Sequence, residues 1–224
     1  GDQTDNLAQD AGAVYVFSRS VNTWSQQAYI KASNTGAGDW FGGSISLAAD
    51  GSTLAVGARR EDSSSMGIDG EQNDESAPDA GAVYVFGRNI ASWTQRAYVK
   101  AINTEAGDWF GWDVSLSGNG SILAVSALSE DGGATGIFGY PYHNGPEQAG
   151  AAYVYMHDIL NWNLQSYIKA SNTDAWDQFG YAITIRADGN TLAVGANAEA
   201  SSSTGIGGNQ DDNSLPSAGA VYLY

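Results

Sequence analysis

The chain has 224 residues, a formal net charge of −16 and no cysteine. Its apolar fraction of 42% is large enough for a substantial core, yet no segment approaches the ~20 consecutive apolar residues of a membrane-spanning helix. The acidic balance disfavours nucleic acid and anionic membrane surfaces as partners, because both attract basic proteins, and the absence of cysteine excludes disulfides and thiol chemistry.

An internal repeat with a constant period of 69 residues organises the chain: the sequence Ala-Gly-Ala-Val-Tyr-Val-Phe at 11–17 returns in similar form at 80–86, 149–155 and 218–224. A period without drift indicates one structural unit that is copied and stacked, each copy burying its apolar faces against the next. We therefore predict a single repeat array over residues 1–224. Its units lie at about 11–79, 80–148 and 149–217, followed by a repeated strand at 218–224.

Each unit is predicted to contain four strands. The strand-like segments of the first unit, in chain order, are 11–17, 26–31, 44–47 and 53–58. Asp50-Gly51 is a hairpin signal between the last two, and a long acidic loop at 59–79 leads to the next unit. Lysine occurs once per unit at the same place, as Lys31, Lys100 and Lys169. A lone charge at one place of one strand predicts an exposed sheet edge.

Four antiparallel strands in a strictly repeated unit are typical of a β-propeller blade, so we predict an all-β propeller of four-stranded antiparallel blades. A solenoid is the competing architecture, but its units are usually shorter and use parallel strands. Three units are too few for a closed ring, because propellers have ~4–8 blades. Three arrangements remain open: a six-bladed ring formed by two chains, a ring completed by further sequence, and a head-to-tail assembly that does not close.

Short glycine motifs recur in register in every unit. In the first unit they are Phe41-Gly42, Gly57-Ala58 and Gly81-Ala82-Val83-Tyr84. With these motifs the unit resembles the FG-GAP repeat of integrin α-subunit propellers, and the resemblance covers nearly the whole chain. In that family Phe-Gly opens the innermost strand, Gly-Ala forms the second, Gly-Ala-Val-Tyr the third and Tyr-Ile-Lys the outermost. The resemblance implies an extracellular or cell-surface adhesion module, like those of bacterial surface repeat proteins.

Two features depart from the family's pattern. The family often carries a calcium cage between its first two strands, but here that connection is only Asp50-Gly51-Ser52 or its counterpart in the other units. So tight a hairpin cannot supply the ~6–8 oxygens that calcium prefers, and we do not expect the cage. The proline that usually follows Gly-Ala is also replaced, by Arg59, Leu128 and Asn197.

The long loops are a second candidate for calcium binding. In an up-and-down blade they lie on the same face as connections such as 32–40, and binding residues concentrate on such loops. The candidate metal ligands are Asp62, Asp69, Glu71, Asp74, Asp131, Asp211 and Asp212. The alternative is a loop folded by its own turn hydrogen bonds, which is favoured because the spacing matches no EF-hand.

Two further polar sets recur in an identical frame and are interpreted as turn-capping acceptors. They are Asp39, Asp108 and Asp177, and Asn34, Asn103 and Asn172.

Aromatic residues on the same face are the candidate ligand-binding residues. Trp40 and Trp109 have Gln178 as their third counterpart, Trp112 is unique, and Tyr140 and Tyr142 occur only in the second long loop. Such residues could form a platform for sugar stacking; ordinary packing is the alternative, since Trp is mostly buried. Trp24, Trp93 and Trp162 recur and are expected to hold blades together.

No sequence motif indicates catalysis. The two histidines, His143 and His157, do not repeat, and no G-x-S-x-G, H-E-x-x-H or P-loop occurs. We expect a non-enzymatic module that binds a protein or glycan ligand on the long-loop face, as a homo-oligomer or as part of a longer chain. The alternatives are a propeller lectin, a structural subunit of a surface assembly or fibre and, least favoured, a propeller glycosidase.

Overall fold

The computed structural model describes residues 2–90 and 92–224, and this part of the chain consists of strands, turns and loops without a helix. In chain order the strands are β1 (Val14–Ser20), β2 (Thr23–Ile30), β3 (Ser44–Leu47), β4 (Thr53–Ala58), β5 (Ala82–Asn89), β6 (Ser92–Val99), β7 (Phe110–Leu116), β8 (Ile122–Ala127), β9 (Ala151–His157), β10 (Trp162–Ile168), β11 (Phe179–Ile185), β12 (Leu192–Ala196) and β13 (Ala220–Leu223). None of the described residues belongs to a helix with the length and hydropathy needed to cross a membrane.

The strands form four antiparallel sheets in which sequence neighbours are always spatial neighbours. The first sheet is β1–β2, the second β3–β4–β5–β6, the third β7–β8–β9–β10 and the fourth β11–β12–β13. Two complete blades thus lie between a piece with the third and fourth strands of a blade and a piece with the first three. This confirms the predicted strand order and blade type.

Each pair of neighbouring sheets encloses its own hydrophobic core, because the middle strands are apolar on both faces. In β5, Val83 and Val85 pack toward the third sheet, while Tyr84 and Phe86 pack toward the first. Val154 of β9, one period after Val85, packs toward the fourth sheet in the same way. Alternate side chains of one strand therefore join consecutive blades, as expected of sheets stacked in an array.

The innermost strands of successive blades are joined by hydrogen bonds from a backbone amide of one strand to a side chain 70 residues earlier. The amide of Val114 in β7 donates to the Ser44 hydroxyl of β3 at 3.1 Å, and the amide of Ile183 in β11 donates to the Asp113 carboxylate at 2.8 Å. These contacts place β3, β7 and β11 side by side. The four sheets form an open arc, which is a partial propeller.

The glycine motifs mark the places where the backbones of two blades touch. A Cβ atom on Gly81 would lie 2.1 Å from the carbonyl oxygen of Phe110, and Gly81 has a φ of +83°. The amide of Phe110 donates to the carbonyl of Ala80 at 2.9 Å. Only glycine combines this conformation with this approach, so the Phe-Gly motif of one blade requires the Gly-Ala-Val-Tyr motif of the blade before it.

The two ends of the arc expose apolar side chains whose counterparts inside it are buried. Tyr15 and Phe17 of the first sheet are 49% and 51% exposed, whereas Tyr84 and Phe86 one period later are buried. At the other end Val221 of the fourth sheet is exposed, while Val83 at the same place is buried. Burial of these positions therefore depends on a neighbouring blade.

The prediction that the repeated lysine marks an exposed edge is wrong for two of its three positions. Lys100 and Lys169 have relative exposures of 0%. Although β6 and β10 are the outermost strands of their sheets, the long loop folds over the end of each strand and supplies a carboxylate to the lysine. Lys31, which directly follows the first sheet, is half-buried.

Candidate functional site

A buried carboxylate lies at the base of each long loop. Glu61 accepts hydrogen bonds from the Lys100 ammonium at 3.0 Å and from the Tyr98 hydroxyl at 2.7 Å. The side-chain amide of Asn34, which follows the first sheet, donates to the same carboxylate at 2.9 Å. The third sheet repeats this arrangement around Glu130, with Lys169 at 2.7 Å, Tyr167 at 2.8 Å and Asn103 at 2.9 Å.

This network fastens the loop both to its own blade and to the preceding one. Burial lowers the pKa of Lys100, and the charge of Glu61 opposes that shift. A buried charge is tolerated only when it is paired and hydrogen-bonded, and both conditions are met. Because neither group of the ion pair is accessible from solvent, we assign the network a structural role.

The predicted metal ligands hold their own loops in place. Asp62 accepts a hydrogen bond from the Asp79 amide at 2.8 Å, and Asp131 accepts one from the Gln148 amide at 2.7 Å at the same place in the next loop. Asp69 accepts from the Tyr98 amide at 2.9 Å, which connects the loop to β6. These bonds are of the kind expected from turn chemistry.

The remaining predicted ligands lie nearer the loop tips. The amides of Ser64 and Ser76 donate to Asp74 at 2.9 and 3.1 Å. Asp212, two repeat units later, accepts in the same way from the amides of Ser202 and Ser214. Hydrogen bonds from these serines lower the pKa of both aspartates to about 2. Glu71 accepts from the Asn73 amide at 3.0 Å, and Asp211 is exposed. Within residues 2–90 and 92–224, no three acidic or histidine side chains converge closely enough to hold a metal ion.

The repeated aspartates cap turns as predicted, but the repeated asparagines do not. Asp39 accepts a hydrogen bond from the Gly36 amide at 2.8 Å, three residues before it. Asn34 instead reaches the next blade, where its amide group donates to Glu61 and its carbonyl accepts from the Tyr84 hydroxyl. An asparagine suits this position because its side chain both donates and accepts.

Three of the five predicted ligand-binding aromatic residues meet around a pair of arginines. The Arg59 guanidinium lies 4.5 Å from the ring centroids of both Trp40 and Trp112, and that of Arg60 lies 4.3 Å from Trp40. Trp112 also stacks on Trp109, with centroids 5.7 Å apart and an interplanar angle of 14°. We call these five residues the tryptophan–arginine cluster. It lies at the start of the inner strands, on the long-loop side of blades two and three.

The cluster is not a requirement of the fold. Trp40 and Trp109 have a φ of 57°, and Gln178 in the third unit has a φ of 56°. The turn therefore takes this left-handed conformation without a tryptophan, and a bulky residue there carries a strain of ~1–2 kcal/mol. The strain is common to all three units, so what distinguishes the tryptophans from Gln178 is their contacts, those of Trp40 with the arginines and that of Trp109 with Trp112.

The other two predicted aromatic residues lie apart from the cluster. Tyr140 and Tyr142 pack against each other in the second long loop, with centroids 5.5 Å apart, and both are exposed. Within the described residues neither ring contacts a tryptophan. The structure thus divides the predicted ligand-binding set into a three-tryptophan group and a separate tyrosine pair.

Sequence reasoning missed the charged members of both sites. Glu61, Glu130 and Glu199 recur with the same period as the lysines, and each of the two buried ion pairs joins residues 39 positions apart. A glutamate and a lysine that recur with the same period and at a constant separation indicate that they form an ion pair. Arg59 was noticed only as a replacement for proline, and nothing in the sequence shows that it lies between two rings.

Sheets stacked about their inner strands, with glycine contacts between blades, define a β-propeller repeat protein. The FG-GAP repeat model matches residues 24–86, 93–155 and 162–224, which together make up most of the chain. The chain therefore belongs to the FG-GAP repeat family. A search of curated proteins found no match.

Proposed function

We propose that the chain is a non-catalytic adhesion module of the integrin-like type that recognises its ligand on the long-loop face, outside the cell or at the cell surface. The observation that carries this proposal is the tryptophan–arginine cluster. The FG-GAP family supports the type of module and agrees with an extracellular or surface location, because such repeats are typical of proteins there.

The composition of the cluster suggests the chemistry of the ligand. The chain has a net charge of −16, yet Arg59 and Arg60 are adjacent in the sequence and lie beside the exposed ring of Trp40. Arg60 lies 3.7 Å from Asp79, and within the described residues Arg59 forms no ion pair. A guanidinium held against an aromatic ring remains able to bind a carboxylate, while the ring packs against a flat apolar surface. A ligand with a carboxylate beside such a surface fits best.

A lectin is the second candidate, and the geometry of Trp40 favours it. This ring is 37% exposed, with arginines at 4.5 and 4.3 Å. A sugar ring could stack on the exposed part of the indole while a uronic or sialic acid carboxylate binds an arginine. The lectin would therefore recognise acidic glycans.

One adhesion experiment separates the two candidates. Beads coated with the chain are added to cells that are untreated, stripped of surface proteins by protease, or stripped of surface glycans by glycosidases. Loss of adhesion after protease alone indicates a protein ligand, and loss after glycosidase indicates the lectin. Adhesion to none of the untreated cell types tested contradicts both.

The matched variants locate the site. Trp40→Ala and Arg59→Ala should each abolish adhesion, whereas Trp24→Ala removes an exposed tryptophan of the first sheet and should have no effect. Retained adhesion in both cluster variants would place the ligand elsewhere.

Calcium binding in the long loops stays a prediction. Its support is the density of carboxylates, but the same carboxylates already accept hydrogen bonds within their loops. If calcium binds the folded chain, millimolar calcium should raise the melting temperature, since a ligand of the native state stabilises it. No shift relative to the same concentration of magnesium would remove this prediction.

A further inference from the structure

A groove between the second and third sheets opens on the side of the blades away from the long loops. It has a volume of about 430 Å³ and is lined by the ends of β5 and β9 and by the turn that follows β9. Both sheets have all four strands, so the groove lies inside the arc and not at either of its ends. Pockets of ~300–1,000 Å³ have the size that small organic ligands occupy.

The second sheet contributes an arginine that its counterparts in the other units lack. Arg96 is the extra residue of the bulge in β6, opposite the register shift between Val85 and Phe86. A bulge leaves its extra residue outside the ladder and can re-aim the side chain of that residue. The corresponding residues of the other units are Gln27 and Gln165. The fold therefore accepts a neutral side chain here, and the cation is a particular feature of this groove.

A glycine gives the arginine its position. A Cβ atom on Gly87 would lie 2.8 Å from Nε and 3.0 Å from Cγ of Arg96, so the arginine lies directly across the glycine. The guanidinium donates to the side-chain carbonyl of Asn89 at 3.3 Å, and within the described residues it forms no ion pair. Ser18 and Met156 stand in the place of Gly87 in the other units. The glycine and the arginine thus occur together, in the one blade that has the groove wall.

The third sheet supplies the facing wall, which is largely apolar. His157 ends β9, and its ring lies 5.2 Å from the ring of the buried Trp162. In the turn after β9, Ile159 and Leu160 line the groove and are 97% and 80% exposed. The groove therefore places apolar side chains and a histidine ring opposite a guanidinium.

The charge of the groove is opposite to that of the chain. The chain has 25 Asp and Glu residues and a net charge of −16, yet within the described residues no acid lines this groove. Asp158, in the turn after β9, accepts hydrogen bonds from the amides of Leu160 and Asn161, each at 2.8 Å. Its carboxylate is thereby held within its own turn. A bound anion would meet an arginine and a histidine without a competing acid in the wall.

We propose that this groove binds a small carboxylic acid with an apolar body. The guanidinium of Arg96 and a ring N–H of His157 donate to the carboxylate, as these groups commonly do. The apolar body lies against Trp162 and the two exposed aliphatic side chains of the turn. The site is on the opposite side of the blades from the tryptophan–arginine cluster, and the inference does not depend on the ligand proposed for that cluster.

NMR of the histidine rings locates the ligand, because the chain has only two histidines. The probes are phenylacetate and octanoate, added to the whole chain at millimolar concentrations, and the uncharged control is phenylacetamide. At least one acid should shift the ring signals of His157 in a saturable way and leave those of His143 in the second long loop unchanged. The variant His143→Gln assigns the signals. The amide should bind at least about tenfold more weakly, because it cannot form the charged hydrogen bonds.

If neither acid shifts the His157 signals, or if both histidines respond alike, the proposal is overturned. An amide that binds as tightly as phenylacetate overturns it as well, since the cation would then contribute nothing.

Two variants test the arginine with residues that other units carry at the same places. Arg96→Gln removes the cation, and Gly87→Met displaces it and fills part of the groove. Each should weaken binding of the acid by about tenfold or more. The matched control is Arg88→Gln, which removes an exposed arginine of β5 that does not line the groove. An Arg96→Gln chain that binds the acid as well as the unchanged chain overturns the proposal.

Arg59→Ala separates this groove from the tryptophan–arginine cluster, which is also proposed to bind a carboxylate. The shift of the His157 signals should persist in this variant with the same affinity. Loss of the shift would assign the acid to the cluster and overturn the proposal for the groove.

Discussion

The buried ion pair is the residue-scale feature on which the long loops depend. Lys100 and Glu61 are both almost fully removed from solvent, and Tyr98, Asn34 and the Ser63 amide complete the hydrogen bonds of the carboxylate. A buried pair adds little net stability compared with an apolar replacement, but the loss of one partner leaves a buried charge. Its contribution is therefore to specify which strand the loop covers.

Removal of the lysine alone should be costly. We expect Lys100→Met to lower the free energy of unfolding by ~3–5 kcal/mol, because Glu61 then remains buried without its cation. The double variant Lys100→Met/Glu61→Gln should recover a large part of this loss. Urea unfolding measures both, with the exposed Arg88→Met as control. A Lys100→Met chain as stable as that control would show that the pair is not buried.

A second residue-scale effect concerns the repeated aspartates. Burial raises the pKa of Asp108 to about 8, and the neighbouring Glu130 adds to the shift. Burial also raises the pKa values of Asp39 and Asp177 to about 6. The ordinary pKa of an aspartate is ~3.9, so the folded chain binds these protons more tightly than the unfolded chain does. Their stabilising effect is complete below pH ~4 and is lost as the pH rises through the folded-state values.

The free energy of unfolding should therefore fall between pH 4 and pH 8, where the pKa of Asp108 is about 8 and its ordinary value is ~3.9. Asp108→Asn should reduce this slope, because an amide keeps the hydrogen bond from the Glu105 amide and does not titrate. Denaturant unfolding at a series of pH values measures the effect. A variant with the same slope as the wild type would mean that Asp108 is solvated.

At the scale of elements, the contact between consecutive blades rests on glycine. Gly67 and Gly81 have similar φ values, +74° and +83°, but a Cβ on Gly67 would meet nothing within 4 Å, while one on Gly81 would lie 2.1 Å from the Phe110 carbonyl oxygen. The two glycines share the backbone conformation, but only Gly81 is approached by another blade. Substitution at Gly67 therefore measures backbone strain alone, whereas substitution at Gly81 measures strain together with the loss of the contact between blades.

We expect Gly67→Ala to cost ~1–2 kcal/mol, the strain of a left-handed alanine. Gly81→Ala should cost at least about twice as much, because the second blade and β7 must move apart. Thermal and urea unfolding of the two variants give the comparison. Equal losses would indicate that blades two and three do not touch at this glycine.

Another element-scale feature explains why one strand was harder to recognise. Residues 26–31 alternate less regularly than the other strands, and the structure has a register shift opposite them, between Val16 and Phe17, that recurs between Val85 and Phe86. A bulge inserts one residue into β2 or β6 and reverses the alternation beyond it. Tyr98 and Lys100 are two residues apart and therefore share a face, and the reversal turns that face toward Glu61. The irregular alternation of residues 26–31 reflects the bulge, but the sequence does not show that the bulge directs Tyr98 and Lys100 toward Glu61.

At the scale of the whole molecule, repetition made the fold predictable. The period, the hairpin signals and the two-faced strands were sufficient to predict four-stranded antiparallel blades, because each copy supports the same interpretation, and the resemblance to the FG-GAP repeat supplied the order of the strands within a blade. The burial of Lys100 was not predictable from one strand, since it depends on a loop 39 residues away. The cluster around Arg59 was likewise out of reach, because Trp40 and Trp112 come from successive blades.

The same reasoning explains the uneven burial of equivalent residues. Tyr84 is buried and Tyr15 is half exposed, although they occupy the same place in the repeat. In a stacked array each unit is stabilised by its neighbours, so the first and last sheets have incomplete cores.

Amine labelling of the native chain tests the central claim most directly, namely that each long loop closes over the end of an outermost strand and buries its lysine. The chain has only three lysines, so mass spectrometry of peptides can assign every one. At concentrations where the chain is monomeric, an amine-reactive ester should modify Lys31 quickly and should modify Lys100 and Lys169 only after denaturation. Equal labelling of all three lysines in the folded chain would contradict the account.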